Sequence, residues 1–386
     1  MYNFSFDIPT KIHFGKGQIS HLSECKESGT KVLIVYGGGS VVRSGLLDKA
    51  KGILNDNEMT VFELGGVEPN PKIQLVRQGV NICKDEGIEM VVAIGGGSCI
   101  DSAKLIAAGV YYDGDPWDLM MDSYKIKKAL PIYSILTLAA TGSEMDDSTV
   151  ISDDTINVKC DISNRHLLPT MSILDPENTY TVPANQTAAG AADIMSHVFE
   201  CYFVKGNGAR VQQHIMEGIL KTVIEYAPIA IEEPDNYEAR ANLMWCSTLA
   251  LNNLTIYGSS DVAWCVHPIE YEITAYYGTT HGVGLAILTP AWMRYVLSEE
   301  TAKRFADYGR SVWNLSLEDD DMTVAKTAID KTEKFFESIG IPTRLSQLGI
   351  TDDNFEKMAE RASKYTKDCY KELDANDIYN IFKNAL

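Results

Sequence analysis

A chain of 386 residues is long for one average domain and points to two. An apolar content of 45% with 23% charged residues belongs to a folded globular protein and excludes disordered and fibrous classes. The net charge of −19, from 53 acidic against 34 basic residues, repels phosphate backbones and anionic lipid, which argues against nucleic-acid and membrane partners.

The opening residues, Met1–Asp7, carry neither a basic stretch nor a long apolar core, so no signal peptide is expected. No later apolar run reaches membrane-spanning length. The eight cysteines are scattered, with no Cys-x-x-Cys pair. That spacing speaks against a disulfide framework or a thiolate zinc site and fits a reducing, cytoplasmic setting. Tyr2–Ile8 alternates apolar and polar residues and reads as an exposed edge segment.

Lys31–Tyr36 is a short, β-branched apolar run that ends in Gly37-Gly38-Gly39-Ser40. Glu89–Ile94 is another, ending in Gly95-Gly96-Gly97-Ser98. Unbroken apolar runs stopped by glycine predict strands buried on both faces of a parallel sheet. Helical stretches follow at Val41–Asn55 and Ser98–Gly109, and a further strand is predicted at Ile132–Leu138. The proline-bounded segment from Leu174 to Pro183 reads as a linker. Beyond it, helical periodicity takes over at Arg210–Ile231, Tyr237–Leu254 and Thr323–Ser338. The expected fold is therefore an α/β domain with a parallel sheet at 1–183, followed by an all-α domain at 184–386. Ligands are expected at the carboxyl ends of the strands, facing the cleft between the domains.

Three constellations carry chemistry. Asp193 and His197, four apart in a segment of good helix formers, share one helix face at a spacing suited to one metal. His267 and His281 follow, 14 residues apart, a span of about 21 Å on a straight helix. The chain must bend at Tyr277–Thr280 for both to reach the same ion. One carboxylate and three imidazoles suit one divalent metal, Fe²⁺ or Zn²⁺, with positions left for substrate. Second, the loop Gly96-Gly97-Ser98 opens a helix whose free N–H groups and positive dipole end suit a pyrophosphate. Ser98 and Asp101 read equally well as a helix-capping pair. Third, Thr137–Glu144 places small hydroxyl residues after a strand, where they suit ribose or phosphate.

Taken together, these residues resemble the iron-containing alcohol dehydrogenase family, in its NADP-dependent, butanol-dehydrogenase-like branch. The resemblance runs over nearly the whole chain, from Pro9–Gly17 through Gly95–Asp101 and Thr137–Glu144. It continues through Asp175, Pro183, Gly190, Asp193, His197 and Glu200 to His267 and His281. It implies that the first domain binds the nucleotide and the second the metal, in an oxidoreductase that moves a hydride between nicotinamide and a small primary alcohol or aldehyde. Asp193, His197, His267 and His281 are then the metal ligands and the catalytic centre. Gly96, Gly97, Ser98 and Asp101 would hold the pyrophosphate, and Thr137, Thr141, Ser148 and Lys159, with Asn70 nearby, the nicotinamide and its ribose. The family also implies a homodimer, often formed through an N-terminal strand. One position departs from the pattern: where related butanol dehydrogenases often carry a histidine four residues after the third ligand, this chain has Tyr271. A proton relay through that side chain does not transfer, because tyrosine titrates near pH 10. Trp264, Tyr271 and Phe199 are candidate walls of the substrate site.

For the cofactor, no acid follows the first strand as far as Arg43. The N–H groups of Gly37 and Gly38 and the Ser40 hydroxyl are therefore expected to receive a 2′-phosphate, making NADP the first choice and NAD the second. Two other readings stay open: a glycerol- or lactaldehyde-type polyol dehydrogenase of the same superfamily, and a dehydroquinate-synthase-like lyase. The second would want cationic residues near the metal, and Tyr257–His281 contains no Lys or Arg.

Overall fold

The computed structural model describes residues 1–206, 208–259, 264–367 and 369–386. The chain divides into two compact units. One comprises Asp7–Val182 and Asp235–Thr248; the other comprises Met1–Phe6, Pro183–Pro234 and Leu249–Leu386.

In the first unit the strands are β1 (Lys11–Phe14), β2 (Lys31–Gly37), β3 (Thr60–Val67), β4 (Met90–Gly95), β5 (Ile132–Leu136), β6 (Ser148–Asp153), β7 (Val158–Ser163) and β8 (Met171–Leu174). Six of them form an all-parallel sheet in the order β1-β8-β5-β4-β2-β3, and β6 and β7 pair as a separate antiparallel hairpin. The apolar runs are continuous because both faces of the sheet are covered. Leu33, Val35, Val91 and Ala93 pack into a core on one side. Their neighbours Val32, Ile34, Met90, Val92 and Ile94 pack into a core on the other. Each such side chain contributes about 1.5–3 kcal/mol when fully buried.

The α-helices of this unit are α1 (Ser40–Arg43), α2 (Leu46–Asp56), α3 (Ile73–Glu86), α4 (Gly97–Gly109) and α5 (Trp117–Met121), together with the part of a later helix that lies within Asp235–Thr248. The single helix expected over Val41–Asn55 is split in two, because Gly45 adopts a left-handed conformation with φ of 74°. From β2 the sheet grows outward to β3 on one side and then to β4 on the other. The reversal places a crevice at the carboxyl ends of β2 and β4, which pair as far as Tyr36 and Ile94.

Helix is the only regular secondary structure among the described residues of the second unit. Its elements are α6 (Ala184–Tyr202), α7 (Arg210–Glu232), the end of α8 (Tyr237–Leu251), α9 (Val266–Tyr277), α10 (His281–Val296), α11 (Ala302–Val312), α12 (Asp321–Ser338), α13 (Phe355–Ala362) and α14 (Ala375–Ala385). Helix α6 is buried from Thr187 to Tyr202. Its small residues let α10 cross it closely: a Cβ on Gly282 would lie 2.0 Å from the Ala189 carbonyl oxygen. That contact sets His281 against the α6 face that carries Asp193 and His197.

Candidate functional site

Asp193 and His197 lie one turn apart on α6, His267 in the first turn of α9, and His281 at the first position of α10. The bend required between the last two is supplied by the end of α9 and Gly278, whose φ is 66°. Asp193 Oδ1 lies 3.6 Å from His197 Nε2, 4.0 Å from His267 Nε2 and 3.7 Å from His281 Nε2. Donor atoms of Asp193, His197 and His267 all fall within 4.8 Å of one another.

Asp193, His197 and His267 are buried, and His281 reaches partway to solvent. Asp193 Oδ1 and His267 Nε2 have no hydrogen-bond partner among the described residues. Leaving such groups buried and unpaired costs free energy that a divalent cation between them removes. The residues present therefore fit a metal. Burial pushes the His197 ring down to about 3, against the pull of Asp193, so it stays neutral at physiological pH, which is the ligating form.

Two carboxylates brace the imidazoles from behind. Glu200, two turns past Asp193 on α6, accepts hydrogen bonds from the backbone nitrogens of Cys265, Val266 and His267 at 2.7–3.0 Å. Its Oε1 also lies 3.0 Å from His267 Nδ1. Glu270, fully buried on α9, bonds His281 Nδ1 and the Thr274 hydroxyl. Such partners fix ring orientation and tautomer. Glu270 escaped the sequence reading. Its signal is its place one helical turn past His267, with Thr274 one turn further. His197 is held differently: its ring stacks on His267 at 4.9 Å and meets the edge of Trp264 at 5.8 Å.

Of the three expected wall residues, Trp264 and Tyr271 stand beside the imidazoles. Trp264 is 4.9 Å from the His267 ring, and Tyr271 is 5.6 Å from the His281 ring. Phe199 does not join them. It is buried among Phe203 and Tyr308 and serves the core of the helical unit.

The nucleotide candidates lie in the first unit. Gly37, Gly38 and Ser40 follow β2; Gly96, Gly97 and Ser98 follow β4; Thr137 and Thr141 follow β5; and Asn70 follows β3 with a left-handed φ of 54°. Four strands that are successive neighbours in the sheet thus bring these residues to one edge. Thr137 N bonds the Gly95 carbonyl at 3.0 Å. A Cβ on Gly97 would lie 2.4 Å from Thr141 Oγ1, so the two loops touch only because that residue is glycine. The helix-capping reading of Ser98 and Asp101 does not hold. The cap of α4 is Gly96, with no side-chain hydrogen bond, which leaves the first amides of the helix free.

Asp101 is buried, and its two oxygens accept from the Ser143 hydroxyl at 2.6 Å and Val150 N at 3.2 Å. It therefore braces β6 instead of lining the loop mouth. Burial raises its carboxyl to about 6, against the nearby positive charge of Lys104. Lys104 itself is fully buried and ion-paired to Asp146, another partner that the sequence reading missed. Ser148 bonds Ser163 across the hairpin at 2.9 Å, and Lys159 is buried on β7. Ser40 and Arg43 are exposed, and a Cβ on Gly39 would lie 3.0 Å from Arg43 Nη1.

The chain matches the family described as iron-containing alcohol dehydrogenase over residues 9–176, and the C-terminal model of that family over 187–386. It is 51% identical, over the full length of both chains, to the NADH-dependent butanol dehydrogenase A of Clostridium acetobutylicum. It is 39% identical to the NADPH-dependent aldehyde reductase YqhD of Escherichia coli, over 95% of this chain and 94% of that one. Among solved structures, the NADH-dependent butanol dehydrogenase A of Thermotoga maritima superposes with a TM-score of 0.95 at 36% identity, covering 100% of this chain and 99% of that one.

Proposed function

We propose a division of labour that starts from one premise: the chain belongs to the iron-containing alcohol dehydrogenase family and is a metal- and nicotinamide-dependent alcohol dehydrogenase and aldehyde reductase. The helical unit holds one divalent ion, Fe²⁺ or Zn²⁺, through Asp193, His197, His267 and His281. The observation that carries this assignment is the buried, unpartnered Asp193 Oδ1 with three imidazole nitrogens within 4.0 Å. When bound there, the ion would supply Lewis-acid polarisation of the alcohol or aldehyde oxygen, and nicotinamide the hydride chemistry. Glu200 and Glu270 keep two of the rings aimed, and Trp264 and Tyr271 shield them from bulk water. Tyr271 stands at the position where a relay histidine is common. It contributes bulk and a hydrogen-bond donor, not an acid–base group for neutral pH.

The α/β unit holds the nucleotide. The free amides of Gly97 and Ser98, opened by Gly96, take the pyrophosphate. Thr137, Thr141, Ser148, Lys159 and Asn70 serve the nicotinamide side, and Asp101 positions β6. NADP is the preferred cofactor. The relatives carry both NADH and NADPH in their names. The loop Gly37–Ser40 carries no carboxylate against a 2′-phosphate, and Arg43 lies beside it. The substrates are small primary alcohols or aldehydes of about butanol size, following those relatives. Reconstitution with Fe²⁺ or Zn²⁺, then turnover of a panel of aldehydes with NADPH and NADH, tests the reading. Absence of metal-dependent turnover with every aldehyde would overturn it.

The working form is a homodimer in the cytoplasm. Tyr2, Phe4 and Phe6 are exposed apolar residues on a segment with no strand partner among the described residues, which fits a second copy. All eight cysteines are free, as in a reducing compartment. A monomeric mass in light scattering would contradict the dimer. No described helix is long and apolar enough to cross a membrane.

A further inference from the structure

A second group of metal-ligating side chains lies in the α/β unit, on elements that take no part in the nucleotide loops. His13 sits on β1, an edge strand that among the described residues pairs only with β8. His21 and Glu24 sit on the 3₁₀ segment Gln18–Ser28, whose Ile19, Leu22 and Cys25 are buried against the sheet. The two imidazoles stack at 3.7 Å with an interplanar angle of 8°. Glu24 Oε1 lies 2.7 Å from His21 Nδ1 and 3.3 Å from His13 Nε2. Its other oxygen takes the Lys11 ammonium at 2.6 Å. His13 Nε2 is buried and has no hydrogen-bond partner among the described residues.

We propose that His13, His21 and Glu24 form a second divalent-metal site, selective for ions that favour imidazole, of the Zn²⁺, Ni²⁺ and Cu²⁺ class. One donor atom from each residue already falls within 4.8 Å of the others. Donors that share an ion at about 2.0–2.2 Å stand roughly 3–3.5 Å apart, so the spacing is close to that of a bound set. Two ring nitrogens and one carboxylate oxygen discriminate against Mg²⁺ and Ca²⁺, which want all-oxygen shells. Parallel stacked rings aim their lone pairs side by side and not at one point. An entering ion therefore requires His21 to turn, and at 40% exposure it has room to do so. Lys11 stays beside the site and weakens it, which makes this the lower-affinity of the two metal sites. The bound ion ties the edge strand to the segment that covers it and has no part in turnover.

The test is a Zn²⁺ titration of the untagged full chain, read by calorimetry and by metal counting after equilibrium dialysis. The parent is expected to bind two equivalents. His21→Ala, at a half-exposed position, is expected to bind one and to keep parental turnover when its catalytic metal is loaded. Glu24→Gln should repeat that loss, and Lys11→Met should tighten the second equivalent. A parent that binds one equivalent, or a second equivalent that survives undiminished in His21→Ala and Glu24→Gln, overturns the proposal.

Discussion

Glu200 Oε1 lies 3.0 Å from the backbone nitrogen of His267 and 3.0 Å from the Nδ1 of the same residue. One carboxylate thus fixes both where α9 begins and which way its imidazole faces. Glu200→Gln puts an amide N–H₂ against backbone donors and loosens both. Metal affinity, read by chelator competition, should fall roughly 10–100-fold. Stability should fall by about 1 kcal/mol from the weakened helix start, while turnover at saturating metal drops less. Parental metal affinity in this variant would remove the bracing role.

On the proposed assignment, His267→Ala removes one of the four metal ligands. The expected outcome is loss of bound metal and of alcohol oxidation alike, with the fold retained by circular dichroism. Full metal occupancy and full activity together would sink the four-residue assignment.

Cofactor choice is expected to rest on the loop after β2. A Cβ at Gly38 meets nothing within 4 Å, so Gly38→Asp introduces a carboxylate without a clash. Beside a 2′-phosphate, that charge should lower kcat/KM for NADPH by about tenfold or more, the factor that 1.4 kcal/mol represents. NADH should be affected far less. An NADH-preferring parent, or equal losses with both cofactors, would show that the loop does not read the 2′ position.

The buried Asp101 gives the stability a pH signature. Its folded carboxyl is raised to about 6 from an ordinary 3.8. Between those values the folded chain holds a proton that the unfolded chain has released. Its stabilising contribution is therefore whole below pH 3.8 and lost as pH rises through 6. Two pH units at about 1.4 kcal/mol each amount to about 3 kcal/mol. In denaturant unfolding without nucleotide, Asp101→Asn should therefore gain on the parent by about that much between pH 4 and pH 7. A difference that does not change with pH would mean the carboxyl stays ionised throughout.

The features legible in the sequence were those written in short-range pattern. β2 and β4 stood out because both faces are covered and the apolar runs are unbroken. The candidate metal quartet stood out because Asp193 and His197 share one turn of α6, and the structure brings all four side chains together. What stayed hidden depends on contacts between distant segments. Glu270 looks like any polar helix residue until α10 brings His281 to it. Lys104 looks like a solvated helix lysine, yet α4 is buried and its ammonium meets Asp146. His13 and His21 are eight residues apart with no shared periodicity, and only the packing of the covering segment on β1 stacks them. Strands β1 and β8 escaped notice because four-residue edge and neighbour strands carry too little pattern to separate from loop.

The way the chain threads between its units bears on how it is made. β1 pairs with β8, so Lys11 waits for Met171 before the sheet has its edge. The same unit then waits for residues from α8, where Met244 completes the core, Trp245 meets Phe14 at 5.7 Å and the Thr248 hydroxyl reaches the Glu144 carboxylate. In the other direction, Tyr2 N bonds the Gly258 carbonyl at 3.0 Å, so this early segment is seated against a much later one. Such long-range closure slows folding and lengthens exposure of unpaired strands. A growing chain therefore emerges from the ribosome with neither half able to finish alone. A fragment cut just after β8 carries an open apolar seat where Met244 belongs and should depend on chaperones or aggregate.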